Sequence, residues 1–206
     1  MVSKEYTQYN KNVFERLCKA NICGIPKYYL CEEKSGKLYT LEDYIEGQDL
    51  NTIFEAEGCF DEKTVLNVAL KLCDILEKLH ALNPPLIHRD IKPSNIIFTV
   101  GGDIVLIDFN ASKEYKKDTG VDTVLLGTQY FAAPEQLIGY GASDARTDIY
   151  GIGATMNYLL TGMPRYSLVY PGSLKRIIEK CTDMTPNNRY GNIKELKKAL
   201  LKVKAD

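Results

Sequence analysis

Several features are missing from this 206-residue sequence, and each absence excludes a class of protein. No run of about 18 apolar residues occurs, so we expect no segment that spans a bilayer. Residues 1–6 lack the apolar stretch of a signal peptide. The 26 basic and 27 acidic residues nearly cancel, so nothing attracts nucleic acid or an anionic membrane from a distance. These absences predict a cytoplasmic protein with no nucleic-acid partner and no membrane partner.

Cysteine is present, but in no metal-binding pattern. The six cysteines form no CxxC pair, and most lie in apolar runs. Such a pattern predicts reduced, buried thiols in a cytosolic protein. The length corresponds to about one domain, and 45% apolar with 26% charged residues is ordinary for a globular chain. We therefore expect a single domain over residues 1–206.

The spacing of apolar residues predicts strands and helices in the first half and helices in the last third. Tight turns at Ser35-Gly36 and at residues 101–103 indicate two hairpins. Their strands are predicted over 25–31 with 37–41 and over 96–100 with 104–107. Helices are predicted over 9–19, 62–82, 147–161, 174–181 and 192–203. This arrangement is typical of an α+β fold.

Two polar segments flank the second hairpin. The segment HRDIKPSN ends at Asn95, and the segment DFN begins at Asp108. The hairpin between them would return the chain to its start, so Asp90, Lys92, Asn95 and Asp108 are expected at one end of one sheet. Asn95 and Asp108 offer oxygen ligands suited to Mg²⁺. Lys92 can neutralise a transferring phosphoryl group, and Asp90 can orient the proton of an attacking hydroxyl. Alone, each residue could cap a helix or close a turn, but together they indicate phosphoryl transfer.

Three motifs in order resemble those of protein kinases. HRDIKPSN resembles the catalytic loop of that family, DFN resembles its D-F-G motif, and residues 133–135 match its A-P-E motif. The resemblance implies a kinase-like fold with a mostly helical C-lobe over about 44–206. The remaining residues, about 1–43, would be an incomplete N-lobe that consists of an αC-like helix and a β-hairpin.

The resemblance also implies a cofactor set and a nucleotide site. ATP and Mg²⁺ would be bound, with adenine held by the carbonyl of Asp43 and by the amide and carbonyl of Ile45. Glu42 would stand at the back of this pocket, where a carboxylate is costly unless it is paired or hydrated. Asp49 would reach the ribose, although it could equally cap the short helix that follows.

Supporting roles follow from the same resemblance. Asp148 would brace the backbone of the catalytic loop, Arg189 would pair with Glu135, and His88 would be a packed structural residue.

Specificity and regulation are implied as well. Lys92 together with Gly127-Thr128 implies transfer to Ser or Thr rather than to Tyr. Arg89 could hold a phosphorylated loop residue, for which Thr119 and Thr123 are the candidates; an ordinary ion pair is the equal alternative.

The sequence also departs from the family pattern. It has no G-x-G-x-x-G loop, no V-A-I-K-like strand before Tyr9, and Asn10 where the Lys-pairing Glu belongs. Asn110 replaces a Gly at a position where positive φ is often needed, and Asn is the next most tolerant residue. We therefore expect weak nucleotide binding and weak or no catalysis by this chain alone. Another chain could supply the missing part, although nothing in the sequence shows one.

Three functions are compatible with these features. The first is an N-terminally truncated Ser/Thr protein kinase that uses ATP and Mg²⁺ and acts on an unidentified protein. The second is a pseudokinase that serves as a binding or scaffold module. The third, a small-molecule phosphotransferase, is weaker because enzymes of that type lack the equivalents of Lys92 and of residues 133–135.

Overall fold

The computed structural model describes residues 1–115, 130–137 and 143–203. The helices in these ranges are α1 (Lys11–Lys19), α2 (Leu50–Glu57), α3 (Glu62–His80), α4 (Pro134–Leu137), α5 (Ala145–Thr161), α6 (Lys175–Cys181) and α7 (Ile193–Leu200). The strands are β1 (Val2–Tyr6), β2 (Tyr28–Lys34), β3 (Lys37–Glu42), β4 (Gly47–Asp49), β5 (Leu86–Ile87), β6 (Ile96–Thr99), β7 (Ile104–Leu106) and β8 (Lys113–Glu114). This mixture confirms the predicted α+β class, and each predicted helix is present with slightly shifted ends. The predicted lobe boundary near residue 43 stays a prediction.

The N-terminal sheet has three antiparallel strands in the order β1-β3-β2. The β2–β3 hairpin is the one predicted, but β1 is a correction, because the sequence suggested no strand before Tyr9. β1 pairs along the whole of β3. Its residues Val2, Lys4 and Tyr6 are partly buried, and the residues between them are exposed. The N-terminal part is therefore a helix on a three-stranded sheet rather than a helix with a hairpin.

Helix α1 covers the inner face of this sheet. Val13, Phe14 and Leu17 are buried, and these three apolar residues recur at helical spacing. The ring of Phe14 lies 4.9 Å from that of Tyr6 and 5.9 Å from that of Tyr28, measured between centroids. Aromatic contacts of this kind hold the helix and the sheet together as one packed layer pair.

The cysteines correct a second expectation. Cys18, near the end of α1, forms a disulfide with Cys31 of β2, so these two are not reduced thiols. The spacing gave no signal for this pair because it arises only when the helix packs on the sheet. Of the free cysteines, Cys73 and Cys181 are buried, whereas Cys23 and Cys59 are exposed.

The helical part is built around α3. Asp61 caps this helix as predicted, since its Oδ1 accepts a hydrogen bond of 2.9 Å from the Thr64 amide. The predicted apolar stripe of α3 is buried, and it packs against α5 and α7. Over the described ranges, no helix is both long enough and apolar enough to cross a bilayer.

A second three-stranded ribbon, in the order β4-β6-β7, contains the predicted second hairpin. Ile96 pairs with Leu106, and the Ile107 amide donates a hydrogen bond of 2.9 Å to the carbonyl of Asn95. Asp108 is the next residue. The pairing therefore brings the segments that contain Asn95 and Asp108 to the same end of the ribbon.

Candidate active site

Three polar side chains of the catalytic-loop segment contact one another. Asp90 accepts a hydrogen bond of 2.8 Å from Nδ2 of Asn95, and Nζ of Lys92 lies 2.7 Å from the same carboxylate oxygen. The 3₁₀ turn Pro93–Asn95 produces this contact because it brings Asn95 back over Asp90. The structure thus brings together the acid, the cation and the amide that the sequence pattern selected.

The amide of Asn95 has a defined orientation. Its Nδ2 donates to both the carbonyl and the side chain of Asp90, at 2.9 and 2.8 Å. Asp108 directly follows Ile107, whose amide bonds to the Asn95 carbonyl. An amide oxygen and a carboxylate are donors that suit Mg²⁺, which usually takes few protein ligands and shares phosphate oxygens. Among the described residues, no cluster of three or more His, Cys, Asp and Glu could hold a metal ion. Binding of Mg²⁺ by Asn95 and Asp108 stays a prediction.

Asp108 itself has an unusual backbone. Its φ is 64°, in the left-handed region that few residues other than Gly occupy. Oδ1 of Asp108 accepts a hydrogen bond of 3.2 Å from the Asn110 amide, which fixes the carboxylate. Asn110 does not have a positive φ. The replacement of Gly by Asn at position 110 therefore causes no conflict here, because the left-handed residue of this turn is Asp108.

Asp148 braces the catalytic loop, as the sequence resemblance implied. This fully buried carboxylate accepts hydrogen bonds from the amides of His88 (3.0 Å) and Arg89 (2.8 Å). Nε2 of His80 lies 2.8 Å from the same carboxylate. Arg89, whose amide bonds to Asp148, has a φ of 70° and is, like Asp108, in the left-handed region. Burial acts to raise the pKa of Asp148, but the hydrogen bonds and the nearby histidines outweigh it and lower this pKa.

His88 is the packed structural residue that was expected. It is completely buried, and its ring lies 4.8 Å from that of Phe109. Nε2 is 3.2 Å from the Ile107 carbonyl, and Nδ1 accepts a hydrogen bond of 3.3 Å from the Asp90 amide. Burial lowers the pKa of His88, although Asp148 and Asp90 act in the opposite direction. The neutral ring therefore links the loop to the ribbon on both sides.

Two further side chains, which no sequence motif singled out, hold the loop. Oγ of Ser112 donates to the His88 carbonyl at 3.1 Å, and Nε2 of Gln136 donates to the Arg89 carbonyl at 2.8 Å. The only available signal for Gln136 was its position directly after the A-P-E motif.

Some predicted residues cannot be placed. Thr119, Thr123 and Gly127-Thr128 lie outside the described residues. The proposed phosphorylated loop residue and the Ser/Thr signal therefore stay predictions.

The segment 43–46 joins β3 to β4. No backbone hydrogen bond within the described ranges uses the carbonyl of Asp43 or the amide and carbonyl of Ile45. The Asp43 side chain, in contrast, accepts a hydrogen bond of 2.8 Å from the Tyr29 hydroxyl. These backbone groups are thus available for a ligand, as the adenine prediction requires.

Asp49 has the alternative role that the sequence left open. One carboxylate oxygen accepts hydrogen bonds from the amides of Asn51 and Thr52 at the start of α2, both at 3.0 Å. The other oxygen accepts a hydrogen bond of 2.6 Å from the Thr52 hydroxyl. Asp49 is therefore a helix cap, and its contact with ribose stays a prediction.

The sequence analysis missed a cation next to this segment. Nζ of Lys4, on β1, lies 2.5 Å from Oε1 of Glu42, the last residue of β3. Glu42 is 1% exposed. The carboxylate that was expected to be costly at this position is thus paired, and its partner comes from the strand that was not predicted.

Comparison with known families gives a match over nearly the whole chain. The family described as Protein kinase domain matches residues 7–202. The chain belongs to the protein kinase family. Lys4 precedes the matched region, so its place in this kinase domain is evident only from the pairing of β1 with β3.

Curated relatives of this kinase domain are serine/threonine kinases by name. A probable serine/threonine-protein kinase of Clostridium perfringens is 28% identical over 82% of this chain and 28% of the relative. Serine/threonine-protein kinase PknA of Nostoc is 28% identical over 85% of this chain and 35% of the relative. Serine/threonine-protein kinase D of Synechocystis is 32% identical over 85% of this chain and 38% of the relative. The chain thus spans about a third of the length of these relatives.

Proposed function

We propose that this kinase domain transfers a phosphoryl group from Mg·ATP to a Ser or Thr hydroxyl of a protein. The observation that carries the proposal is the contact of Asp90 with both Lys92 and Asn95, beside Asp108 at the end of the same ribbon. Base, cation and metal ligands in one place are what phosphoryl transfer needs. The names of the relatives support Ser and Thr as the acceptors.

Each side chain of the cluster has a separate task in this proposal. Asp90 orients the acceptor hydroxyl and takes its proton, and Lys92 neutralises the charge on the transferring group. The oxygens of Asn95 and Asp108 hold Mg²⁺, which when bound offsets the negative charge of the phosphates. The hydrogen bonds from Asn95 to Asp90 keep the base fixed before the acceptor arrives.

The nucleotide would lie between the segment 43–46 and Asp108. Asp43 and Ile45 offer the backbone groups for adenine. The 206 residues contain no Gly-rich loop that could cover the phosphates. We therefore expect weak binding of ATP, with a dissociation constant on the order of 1 mM or somewhat below.

The missing Gly-rich loop also favours a second candidate, a pseudokinase that binds a partner without catalysis. A small-molecule phosphotransferase is less compatible, because of Lys92 and the A-P-E motif. A cytoplasmic location, and a partner chain that completes the nucleotide site, stay predictions.

Calorimetric titration with Mg·ATP tests the proposal. Wild type should bind, and Asp108→Ala should abolish the binding because it removes a metal ligand. Asp103→Ala is the matched control, since it removes an exposed acid from the turn at the other end of the ribbon and should bind like wild type. Transfer of labelled phosphate to a Ser/Thr peptide library separates the two candidates. Transfer that Asp90→Asn reduces at least about a hundredfold supports the kinase; binding without transfer supports the pseudokinase.

A further inference from the structure

We propose that a basic groove between α6 and α7 binds an acidic segment of a partner protein through its carboxylate side chains. The groove has a volume of about 750 Å³, and none of the residues of the proposed reaction lines it. Its cationic lining residues are Arg176, Lys180, Lys198 and Lys202. The inference goes beyond the proposed function, because it concerns recognition of a partner and needs no catalysis.

Two rows of cations form the walls of the basic groove. Arg176 and Lys180 lie one turn apart on α6, whereas Lys198 lies on α7 and Lys202 in the turn that ends it. Residues four apart on a helix lie on the same face, so the members of each row are neighbours. All four residues are exposed. A ligand that enters between the helices therefore meets positive charge on both sides.

The floor of the groove is apolar. It consists of side chains that are buried or partly buried against the core, namely Ile177, Tyr190, Ala199 and Val203. Nζ of Lys180 lies 4.5 Å from the centroid of the Tyr190 ring, which holds this cation at the edge of the floor. The groove thus offers apolar contact below and charge at the rim, a combination that suits a peptide with both acidic and aliphatic side chains.

The four cations of the groove differ from the lysines beside them in the chain. Within the described ranges, no ion pair and no side-chain hydrogen bond involves any of the four. The neighbouring lysines on the same helices do have acidic partners: Lys175 with Glu179, Lys194 with Glu77, and Lys197 with Asp74. The unpaired cations of α6 and α7 are therefore concentrated on the face that lines the groove.

Glu195 is the acid among the described lining residues, and it is engaged elsewhere. Oε2 of Glu195 accepts a hydrogen bond of 2.9 Å from the Gly191 amide, and Oε1 lies 3.3 Å from Nδ2 of Asn192. These contacts hold the carboxylate at the start of α7. One acid against four cations leaves the groove with a net positive charge.

Helix stability does not explain this arrangement. Like charges four residues apart on a helix repel each other, as Arg176 and Lys180 do here. Lys180 and Lys198 lie in the last turns of their helices, where the helix dipole favours a cation. Arg176 is the second residue of α6, where the dipole disfavours one. The charge of Arg176 thus has no compensation among the described residues, and an acidic ligand would supply it.

The distribution of charge favours a short acidic ligand. Residues 174–203 contain eight basic and three acidic residues, a net charge of +5, although the whole chain has −1. The remaining residues therefore sum to −6. An acidic segment is attracted to this part of the chain and repelled by the rest. A nucleic acid or a membrane presents a long array of negative charges and needs a correspondingly wide basic surface. We therefore assign the groove to an acidic protein segment.

Fluorescence anisotropy with the full chain tests the inference. The probe is a labelled synthetic peptide in which Glu and Leu alternate, and the same peptide with Gln in place of Glu is the ligand control. Arg176→Gln and Lys198→Gln remove one cation from each wall, singly and together. Lys175→Gln is the matched control, because it makes the same change one residue away, at an exposed lysine that does not line the groove.

Wild type should bind the Glu peptide with a dissociation constant on the order of 0.1 mM or below in about 50 mM salt. The affinity should fall at least about tenfold in about 0.5 M salt, because exposed charges are screened. Each single variant should bind about threefold more weakly than wild type, and the double variant about tenfold more weakly. Lys175→Gln should bind like wild type.

Three results would overturn the inference. The first is the absence of binding by wild type, or equal binding of the Gln peptide, since the charges would then not attract the ligand. The second is an equal loss of affinity in Lys175→Gln, since net charge rather than the groove would then matter. The third is tighter binding of duplex DNA or of phosphatidylserine vesicles, weakened by the same groove variants, since the groove would then serve a different polyanion.

Discussion

Arg189 and Glu135 form a bidentate ion pair in the interior of the helical part. Nη1 and Nη2 of Arg189 lie 2.7 and 2.8 Å from the two carboxylate oxygens of Glu135, and the Arg189 side chain is completely buried. The guanidinium also donates to the carbonyls of Asp183 and Arg146. The pair thus fastens the A-P-E motif to the last quarter of the chain, as the resemblance to kinases implied.

Replacement of Arg189 should unfold the domain more easily. Arg189→Met leaves the Glu135 carboxylate buried without its cation, which typically costs about 3–5 kcal/mol. Urea denaturation followed by circular dichroism measures this loss. Lys37→Met, which removes one partner of a solvent-exposed pair, should leave the stability almost unchanged. Equal losses of stability in the two variants would show that the buried ion pair contributes no more to stability than the exposed one.

Gly151 permits the close approach of α5 to the catalytic loop. A Cβ at this position would lie 2.8 Å from Cβ of Ile91 and 3.3 Å from its carbonyl oxygen. Ile91 stands between Asp90 and Lys92, and its carbonyl also accepts a hydrogen bond of 3.3 Å from the Thr155 hydroxyl. Any shift of Ile91 is therefore passed on to Asp90 and Lys92.

Gly151→Ala should lower phosphoryl transfer more than nucleotide binding. Overpacking at the contact should cost about 1–3 kcal/mol of stability, and a misplacement of about 1 Å can cost on the order of a hundredfold in rate. Steady-state kinetics and urea denaturation check both effects. Gly101→Ala is the control, because its nearest neighbour would be 3.8 Å away. A variant as fast as wild type would show that the loop tolerates the displacement.

The helical part and the contacts among Asp90, Lys92 and Asn95 could be predicted because both depend on local signals. The apolar spacing of α3 and the turn at residues 101–103 are readable within a few residues. Once the turn is identified, the return of the chain from Asn95 to Asp108 at one end of the ribbon follows from the pairing of β6 with β7. The bracing by Asp148 came only from the family resemblance, since its partners are far away in the chain.

The N-terminal sheet was harder to predict because its contacts are non-local. β1 carries charged residues in a strand of five, so the apolar alternation is weak. The partner of Lys4 is Glu42, and no periodicity connects the two. The pairing of Cys18 with Cys31 likewise depends on how α1 packs. The strand β1 and the ion pair of Lys4 with Glu42 were therefore not predicted.

His88 should make the stability of the domain fall in mild acid. Its folded-state pKa is lowered by burial, so below about pH 6.5 the unfolded chain takes up a proton that the folded chain does not. Above that pH the neutral His88 ring does not reduce the stability of the domain. As the pH falls from there toward the folded-state pKa, the free energy of unfolding decreases by about 1 kcal/mol per pH unit. Urea denaturation between pH 7.5 and about 5 measures the slope. His88→Gln cannot titrate, so its slope should be shallower; identical slopes would contradict the assignment.

The Cys18–Cys31 disulfide should stabilise the N-terminal sheet against unfolding. The bond closes a short loop, with a sequence separation of 13, and loops of this size restrict the unfolded chain by about 3 kcal/mol. Cys31→Ser should therefore lower the free energy of unfolding, and reductant should lower that of wild type by a similar amount without affecting the variant. Cys59→Ser, at an exposed free thiol, is the control and should keep the response to reductant. A thiol titration of unfolded, unreduced protein should find four reactive cysteines. Six reactive cysteines would show that Cys18 and Cys31 are not joined in solution. The reduced state predicted from the sequence would then hold for this pair.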